Sequence, residues 1–487
     1  MKEKTRKKKN LTLGLMPTRR DLAGEYFCSV EAALARKRAT EEKLRSLGVR
    51  FVNIDFLNEE GLIKNGADAK LVFQRFQDLG VDALFAPHVN FGCEDAVAKT
   101  AKLLGKPVLL WGPRDDAPDF MGNRMTDSQC GVFATGKVLR QFGVPFQYMT
   151  NCFLDDPIFE RTLSNFISAS QVAKSFKGMR VGQIGVRPET FWSVKCNELQ
   201  LLERFGIEVV PMTLIELESR YKKALGEKER VIERSQSYQA RYGIEVEPES
   251  LSYMAAMQNA IEDWADEYGL ESIATSCWGE FRQIGGIQGC FLFSELADSG
   301  LPVACETDVH GAITSAIAQA ATRFESSVFF ADITVRHPQN NNAELFWHCG
   351  NFPPSCAYCG APSSFSASSG STISSSFDGG IPGTGKSRLK DGEVTISRFD
   401  CAGDDYSLFF TTGKVVEGPA TTGTYGWIEF KDWPIVEHKI ASGPYVHHCS
   451  GVYGKVAEVL HTACRFIPGL RSDPVDPSGP EIEAFLR

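Results

Sequence analysis

No run of 18 or more apolar residues occurs in the 487-residue chain, which excludes a membrane-spanning helix. A secretion signal is missing too. The basic run Lys2–Lys9 leads into Leu11–Met16, which Pro17 and Arg19 end too soon for a signal-peptide core. Positive charge is outnumbered: the formal net charge is -9, and no basic patch of the kind nucleic acids require is evident. The one basic run reads as a solvated tail. The 14 cysteines build no dense framework, so without a secretion signal they read as reduced thiols of a cytoplasmic protein. Cys356 and Cys359 form a lone C-x-x-C. A structural zinc site wants a second pair, and Cys349 with His348 is a weak one.

What the chain does contain is a strand–helix alternation, twice over. Short apolar runs at Leu11–Met16, Arg50–Phe56, Asp82–Pro87 and Pro107–Trp111 alternate with helical patterns near Val30–Leu47, Ala69–Gly80 and Cys93–Leu104. That order implies a parallel, doubly wound sheet. A helix around Cys130–Phe142 and a strand at Pro145–Met149 end this first domain near Thr150. A second series has strands at Met179–Val186, Ile207–Val210, Ser272–Thr275, Pro302–Cys305 and Ser327–Thr334. Its helices are expected at Trp192–Phe205, Glu216–Tyr242 and Ser250–Tyr268. Beyond about His337 come strands at Glu344–Trp347, Glu393–Phe399, Tyr406–Thr412 and Gly426–Phe430, with no helices between them, closed by a helical Val452–Phe466. The expected fold class is therefore α/β. A basic tail (1–10) precedes two doubly wound parallel-sheet domains (11–150 and 151–340), followed by a smaller antiparallel β domain (341–487) with a mobile Ser-rich loop at 361–385. A chain this long exceeds one core and suits about three domains.

Acids and imidazoles converge from three separate segments: Cys277-Trp-Gly-Glu-Phe281, Ala304-Cys-Glu-Thr-Asp-Val-His-Gly-Ala312 and Pro444-Tyr-Val-His-His448. The first two follow strand ends. Carboxylates at the carboxyl ends of neighbouring parallel strands face one crevice, where open α/β sheets bind ligands. Two carboxylates and an imidazole form an oxygen-rich set suited to Mn²⁺ or Mg²⁺.

On Trp278-Gly-Glu280, Glu306-Thr-Asp308, His447-His448 and Trp347-His348-Cys-Gly-Asn351, the chain resembles the L-fucose isomerase/L-arabinose isomerase family, from Leu11 to about Leu470. The resemblance implies a metal-dependent aldose–ketose isomerase acting on a free sugar. Its ion would be Mn²⁺, with Mg²⁺ or Co²⁺ as alternatives, and its ligands Glu280, Asp308 and His448. Trp278, Glu306, His348 and His447 would lie on the substrate side. It also implies a homo-oligomer, whether dimer, trimer or hexamer, in which the first domain reaches a neighbour's site. Two choices stay open. Glu306 and Asp308 are two residues apart and share a side of an extended segment, so either can be the ligand; of the adjacent histidines only one faces the site. Asp308 and His448 are preferred.

The reaction needs such groups in any case. Turning a 2-hydroxy aldehyde into a 2-ketose moves a proton between C2 and C1 while enediolate charge grows. An acid–base pair moves the proton and a divalent ion stabilises the charge, and Glu280 and Asp308 suit the acid–base roles.

Each residue also has a plainer reading. Glu280 can be a helix N-terminal charge and Asp308 an N-cap. His310 reads as a helix-surface residue, His438 as part of the β domain, and His337 and His461 as without special role. In the first domain, Arg19 and Arg20 follow the first strand and His88 the third, at the ligand-binding edge. The arginines suit an anionic sugar substituent, or else form a surface pair neutralised by Asp21; His88 is either a substrate contact or an ordinary loop residue. Two alternative functions follow: an isomerase of an anionic hexose, such as a sulfonated sulfoquinovose-like one, and a non-catalytic sugar-binding or regulatory protein.

Overall fold

The computed structural model describes residues 10–21, 29–359, 370–375 and 380–487. The basic tail and parts of the Ser-rich loop lie outside the described residues. The chain divides into two units: one runs to Lys174 and takes in His461–Pro468 and Pro480–Arg487, and the other is Ser175–Leu460 with Gly469–Gly479. No described helix is long and apolar enough to cross a membrane.

The first unit holds a five-stranded parallel sheet in the order Phe51–Val52, Leu13–Leu15, Ala83–Pro87, Val108–Trp111, Phe146–Tyr148. Its central strands are buried on every residue, as expected of a sheet covered on both faces. The covering helices begin and end where local chemistry dictates. Ser29 caps Val30–Ser46 by accepting from Ala32 N, and Gly105 ends Glu94–Leu104 in the left-handed conformation.

At the carboxyl edge of this sheet, Thr18 bridges both Ile63 and His88. His88 is fully buried. Its Nε2 lies 2.8 Å from Thr135 Oγ1 and its Nδ1 3.4 Å from the Ala86 carbonyl, so the imidazole offers no surface to a sugar here.

The second unit holds two sheets. A four-stranded parallel sheet runs Val303–Ala304, Ser272–Thr275, Arg180–Ile184, Glu208–Met212. The other has ten strands, mostly antiparallel, with Val328–Arg336 between Ala343–His348 and His448–Tyr453. Asp405–Val416 pairs with both Gly392–Ala402 and Thr424–Glu429, which closes six of these strands into a barrel around Phe329, Phe346, Ile396, Phe409 and Ile428. Closure removes the unpaired edges an open sheet would leave.

Several expectations change here. Val328–Arg336 leaves the parallel sheet and becomes a barrel strand, and Gly243–Ile244, from amid the helices, also joins the ten-stranded sheet. Glu216–Tyr242 is two helices, Leu214–Gly226 and Lys228–Arg241, meeting at Glu227. The β region includes a helix, Trp433–Ser442, capped by Asp432, and His438 lies on it. Of the loop 361–385, Thr372–Ser375 and the start of Pro382–Arg388 are strands. Val309–Ala321 is buried at every residue, including His310: most of it is small and apolar, and its polar members His310, Thr314 and Ser315 are met by Asp400, the His310 carbonyl and Ser450.

Burial pushes His88 down to about 4. The folded state thus refuses a proton that the unfolded chain accepts near pH 6.5, so the His88 contribution to stability is intact at neutral pH and is lost as pH falls from 6.5 towards 4. The loss should be about 3 kcal/mol. Urea unfolding of the whole chain across this pH range should show that extra slope in wild type and not in His88→Gln.

Candidate active site

Four polar groups of the second unit come together: Glu306, Asp332, His348 and His448. Glu306 lies in the turn between strand Val303–Ala304 and helix Val309–Ala321. It and Thr307 both adopt the left-handed conformation, φ 56° and 54°. Non-glycine residues hold that conformation at a cost of about 1–3 kcal/mol each, a strain that recurs at functional sites. The turn brings Glu306 Oε2 to 3.7 Å from His348 Nε2 and 3.9 Å from His448 Nε2. Asp332 sits directly opposite His448 in the antiparallel ladder, so their side chains share a face, and Asp332 Oδ1 is 3.6 Å from His448 Nε2. Glu306 Oε2, Asp332 Oδ1 and His348 Nε2 are buried without a hydrogen-bond partner. Buried polar atoms are normally paired, so three in one place mark a site that expects a ligand.

The two imidazoles present opposite faces. His348 Nδ1 accepts the Cys349 N–H at 2.9 Å, so its proton is on Nε2, directed at Glu306. His448 Nδ1 lies 2.9 Å from Asp308 Oδ2. Arg398 grips that acid, so Nδ1 donates to it, and Nε2 is the nitrogen that faces Glu306 and Asp332. Burial works against charge on Glu306, yet His348, His448 and the Trp278 indole, 3.3 Å from Oε1, hold the carboxyl below its usual range. The indole ring is about half exposed and packs edge-on against Phe191 at 5.1 Å, marking the open side together with the exposed His447.

Asp308 has a different place from the one the sequence suggested. It is completely buried, caps Val309–Ala321 through Gly311 N at 2.9 Å, and meets the Arg398 guanidinium with both oxygens. Burial pushes its carboxyl up, but Arg398 and His448 outweigh this and hold it well below the ordinary range. With both oxygens engaged, Asp308 has no free edge for an ion or a sugar. Gly311 is required beside it, since a Cβ there would lie 2.6 Å from the Phe330 ring and 2.8 Å from Asp308 Oδ2. Glu280 begins the short helix Glu280–Gly285, where its carboxylate accepts Gly279 N at 3.1 Å, and it belongs to none of the close ligand groups among the described residues.

Those groups are three. Asp332, His447 and His448 offer donors within 4.8 Å of one another, as do Cys305, Glu306 and His348. Burial pushes the Cys305 thiol up to about 12, so without an ion it stays protonated at neutral pH. The third, His310, Asp400 and Cys401, lies beside Arg398, whose positive charge opposes a cation. His448 Nε2 beside two carboxylates is a set of atoms that a divalent cation would satisfy.

In the first unit, Arg19 is buried and spanned by both Glu60 oxygens at 2.6 and 2.9 Å, with Asp21 at 3.0 Å. Arg20 pairs with Glu94, donates to the Gly92 carbonyl and lies over the Phe91 ring at 4.1 Å. Both guanidinium groups are neutralised in place.

Asp332, Arg398 and Asp400 were not singled out from the sequence. A signal existed: Asp332 interrupts the apolar Val328–Ile333, and Arg398-Phe-Asp400 puts opposite charges on one face of a strand otherwise rich in buried residues.

The N-terminal-domain model of fucose/sulfoquinovose isomerases matches residues 14–178. A sulfoquinovose isomerase of Priestia aryabhattai is 27% identical over 383 residues, covering 78% of this chain and 82% of that protein. One of Alkalicoccus urumqiensis is 24% identical over 338 residues, covering 69% of this chain and 73% of its own. A D-allose-bound periplasmic solute-binding protein of Actinobacillus succinogenes aligns over 64% of this chain and 92% of its own at 14% identity, with a TM-score of only 0.17.

Removing one partner of a buried ion pair strands the other charge, so Asp308→Asn should cost about 3–5 kcal/mol. Glu306→Gln removes a carboxylate that has one free oxygen and no full ion pair, only the Trp278 indole and nearby imidazoles, and should cost less, about 1 kcal/mol. Denaturant titration of the two variants checks the contrast.

Proposed function

We propose that this chain, which belongs to the fucose isomerase-like family, is an aldose–ketose isomerase whose substrate is an anionic sugar of the sulfoquinovose type. Glu306 carries the reading: a buried carboxylate with a free oxygen between two imidazole nitrogens, in a chain similar to sulfoquinovose isomerases over most of its length. The neutral free sugar expected from sequence gives way to the sulfonated alternative on the strength of those relatives.

On an open-chain aldose, Glu306 Oε2 takes the C2 proton and returns it to C1, while the proton of the O2 hydroxyl passes to O1. The Nε2–H of His348 donates to the oxygen on which charge develops, from a buried position that needs no reorganisation. The Trp278 indole occupies the other Glu306 oxygen and so fixes which one is free to act. Asp332, His447 and His448 are the residues that would hold a divalent ion. Such an ion, Mn²⁺ by resemblance, would supply Lewis-acid polarisation of the sugar oxygens.

The anionic end of the substrate has a candidate partner near the mouth. Arg187 and Lys195 flank Phe191, whose ring lies 5.1 Å from Trp278 and 6.5 Å from His448. Neither cation has a carboxylate partner among the described residues: Lys195 lies over the Trp192 ring at 4.7 Å, and Arg187 donates to the Pro188 and Glu189 carbonyls. A sulfonate would gain a charge-assisted contact there.

The decisive experiment incubates the purified protein with sulfoquinovose and, separately, glucose, and follows ketose formation by NMR. Conversion of the sulfonated sugar is expected; no ketose from either sugar, with or without added Mn²⁺, would end the reading. Glu306→Gln should lower kcat by at least about 10²-fold, and EDTA should abolish activity that Mn²⁺ then restores. Lys195→Met should raise KM for sulfoquinovose far more than for glucose, and the difference should shrink at high salt.

A further inference from the structure

We propose that Cys277, Cys290 and Cys349 form an oxidation site, at which a peroxide joins Cys290 to one of the other two in a disulfide and thereby switches off the neighbouring active site. The switching rests on the isomerase reading. The disulfide itself does not.

The three thiols are free and come from three segments of the second unit. Cys277 lies just beyond strand Ser272–Thr275, Cys290 opens the helix Cys290–Asp298, and Cys349 follows strand Ala343–His348. Cys290 stands in the middle: its Sγ lies 3.8 Å from Cys277 Sγ and is also hydrogen-bonded to Cys349. Cys290 and Cys277 are 2% and 8% exposed, whereas Cys349 is only partly buried, so an oxidant in solution meets Cys349 first. The arrangement is no zinc cage. Zinc holds thiolates at about 2.3 Å, which sets them all within about 4 Å of one another. These three are not among the described donor groups whose atoms all lie within 4.8 Å of one another. Sulfurs that meet in pairs are suited to bridging in pairs.

With hydrogen peroxide the reaction balances. The Cys349 sulfur takes one peroxide oxygen as a hydroxyl, the O–O bond breaks, and the thiol proton leaves with the other oxygen as water, giving a sulfenic acid. The Cys290 sulfur attacks that sulfur, the S–O bond breaks, and the hydroxyl leaves with the Cys290 proton as a second water. The bridge can then pass to Cys277, whose sulfur attacks Cys290 while Cys349 departs with the Cys277 proton. Two thiols are oxidised and one peroxide is reduced. Closing the Cys277–Cys290 bridge shortens 3.8 Å to about 2.0 Å. Both outer cysteines adjoin partners of Glu306: Trp278, whose indole is 3.3 Å from Oε1, and His348, whose Nε2 is 3.7 Å from Oε2. Pulling either sulfur inward shifts one of them, and a misplacement of about 1 Å can cost about 10²-fold in rate. Cys290 itself has no hydrogen bond to Glu306, Trp278 or His348 among the described residues.

The test treats the full-length protein with hydrogen peroxide, blocks the remaining thiols with iodoacetamide and maps tryptic peptides by mass spectrometry. A cross-link from Cys290 to Cys277 or Cys349 is expected, and dithiothreitol should remove it. Fragment ions separate Cys290 from Cys305, which shares its tryptic peptide. Sulfoquinovose turnover should fall by at least about 10-fold in the oxidised protein and return with dithiothreitol. Cys290→Ala should leave the untreated rate unchanged and keep most of it under the same treatment. Should that variant fail to fold, Cys290→Ser carries the comparison. Absence of any cross-link on Cys290 in treated wild type overturns the proposal. A cross-link without loss of turnover, or an equal and reversible loss in the Cys290 variant, overturns the switch. If wild type converts no sugar, the isomerase reading falls while the peptide map still decides the disulfide.

Discussion

The buried ion pair between Arg398 and Asp308 is the contact on which the site depends. It ties a barrel strand to the first turn of the fully buried helix Val309–Ala321, and the same carboxylate caps that helix and receives His448. A hydrophobic replacement could match its packing, as it often can for buried pairs. It could not also supply a helix cap, an anchor for an imidazole and a link to Asp400. Three structural demands meet in one carboxylate, and Arg398 allows it to stay charged in a place where water cannot reach it.

Around this fixed centre the reactive groups are left under-satisfied. Glu306, Asp332 and His348 each keep a buried atom without a partner, while Asp308 keeps none. That contrast separates acids that shape a site from acids that act in it. Two residues in one turn, Glu306 and Asp308, fall on opposite sides of the division because consecutive left-handed residues rotate the chain between them. The extended-segment argument, which placed both on one side, fails at exactly the residues whose backbone departs from extension.

Much of the fold was legible. The strand–helix alternation of the first unit placed its five strands and four of its helices, because turn residues and apolar runs are local signals, but the strand expected at Arg50–Phe56 is only Phe51–Val52 and the long helix Pro157–Phe176 was not anticipated. Local signals also gave Asp308 as a cap. What could not be read was long-range pairing. Val328–Arg336 has the apolar run of a parallel strand, and only its partners, Ala343–His348 and His448–Tyr453, make it part of a barrel. Asp332 thereby reaches His448 across more than a hundred residues, and no spacing rule connects them. Arg398 was hidden for the same reason: its meaning lies in partners that the strand order supplies. His348 and His448 were visible in their motifs, but not that their Nδ1 atoms turn to Cys349 N and to Asp308.

The pairing of Asp332 with His448 has a consequence for how such a protein is made and tolerates change. Side chains alternate across a strand, so sliding Val328–Arg336 by a single position against its neighbour would carry Asp332 to the other face while leaving most backbone hydrogen bonds replaceable. The same slip would carry Phe329 and Ala331 out of the barrel core, so the register that sets Asp332 opposite His448 is held by the side chains that fill the barrel, and residues added in the connections at either end need not disturb it.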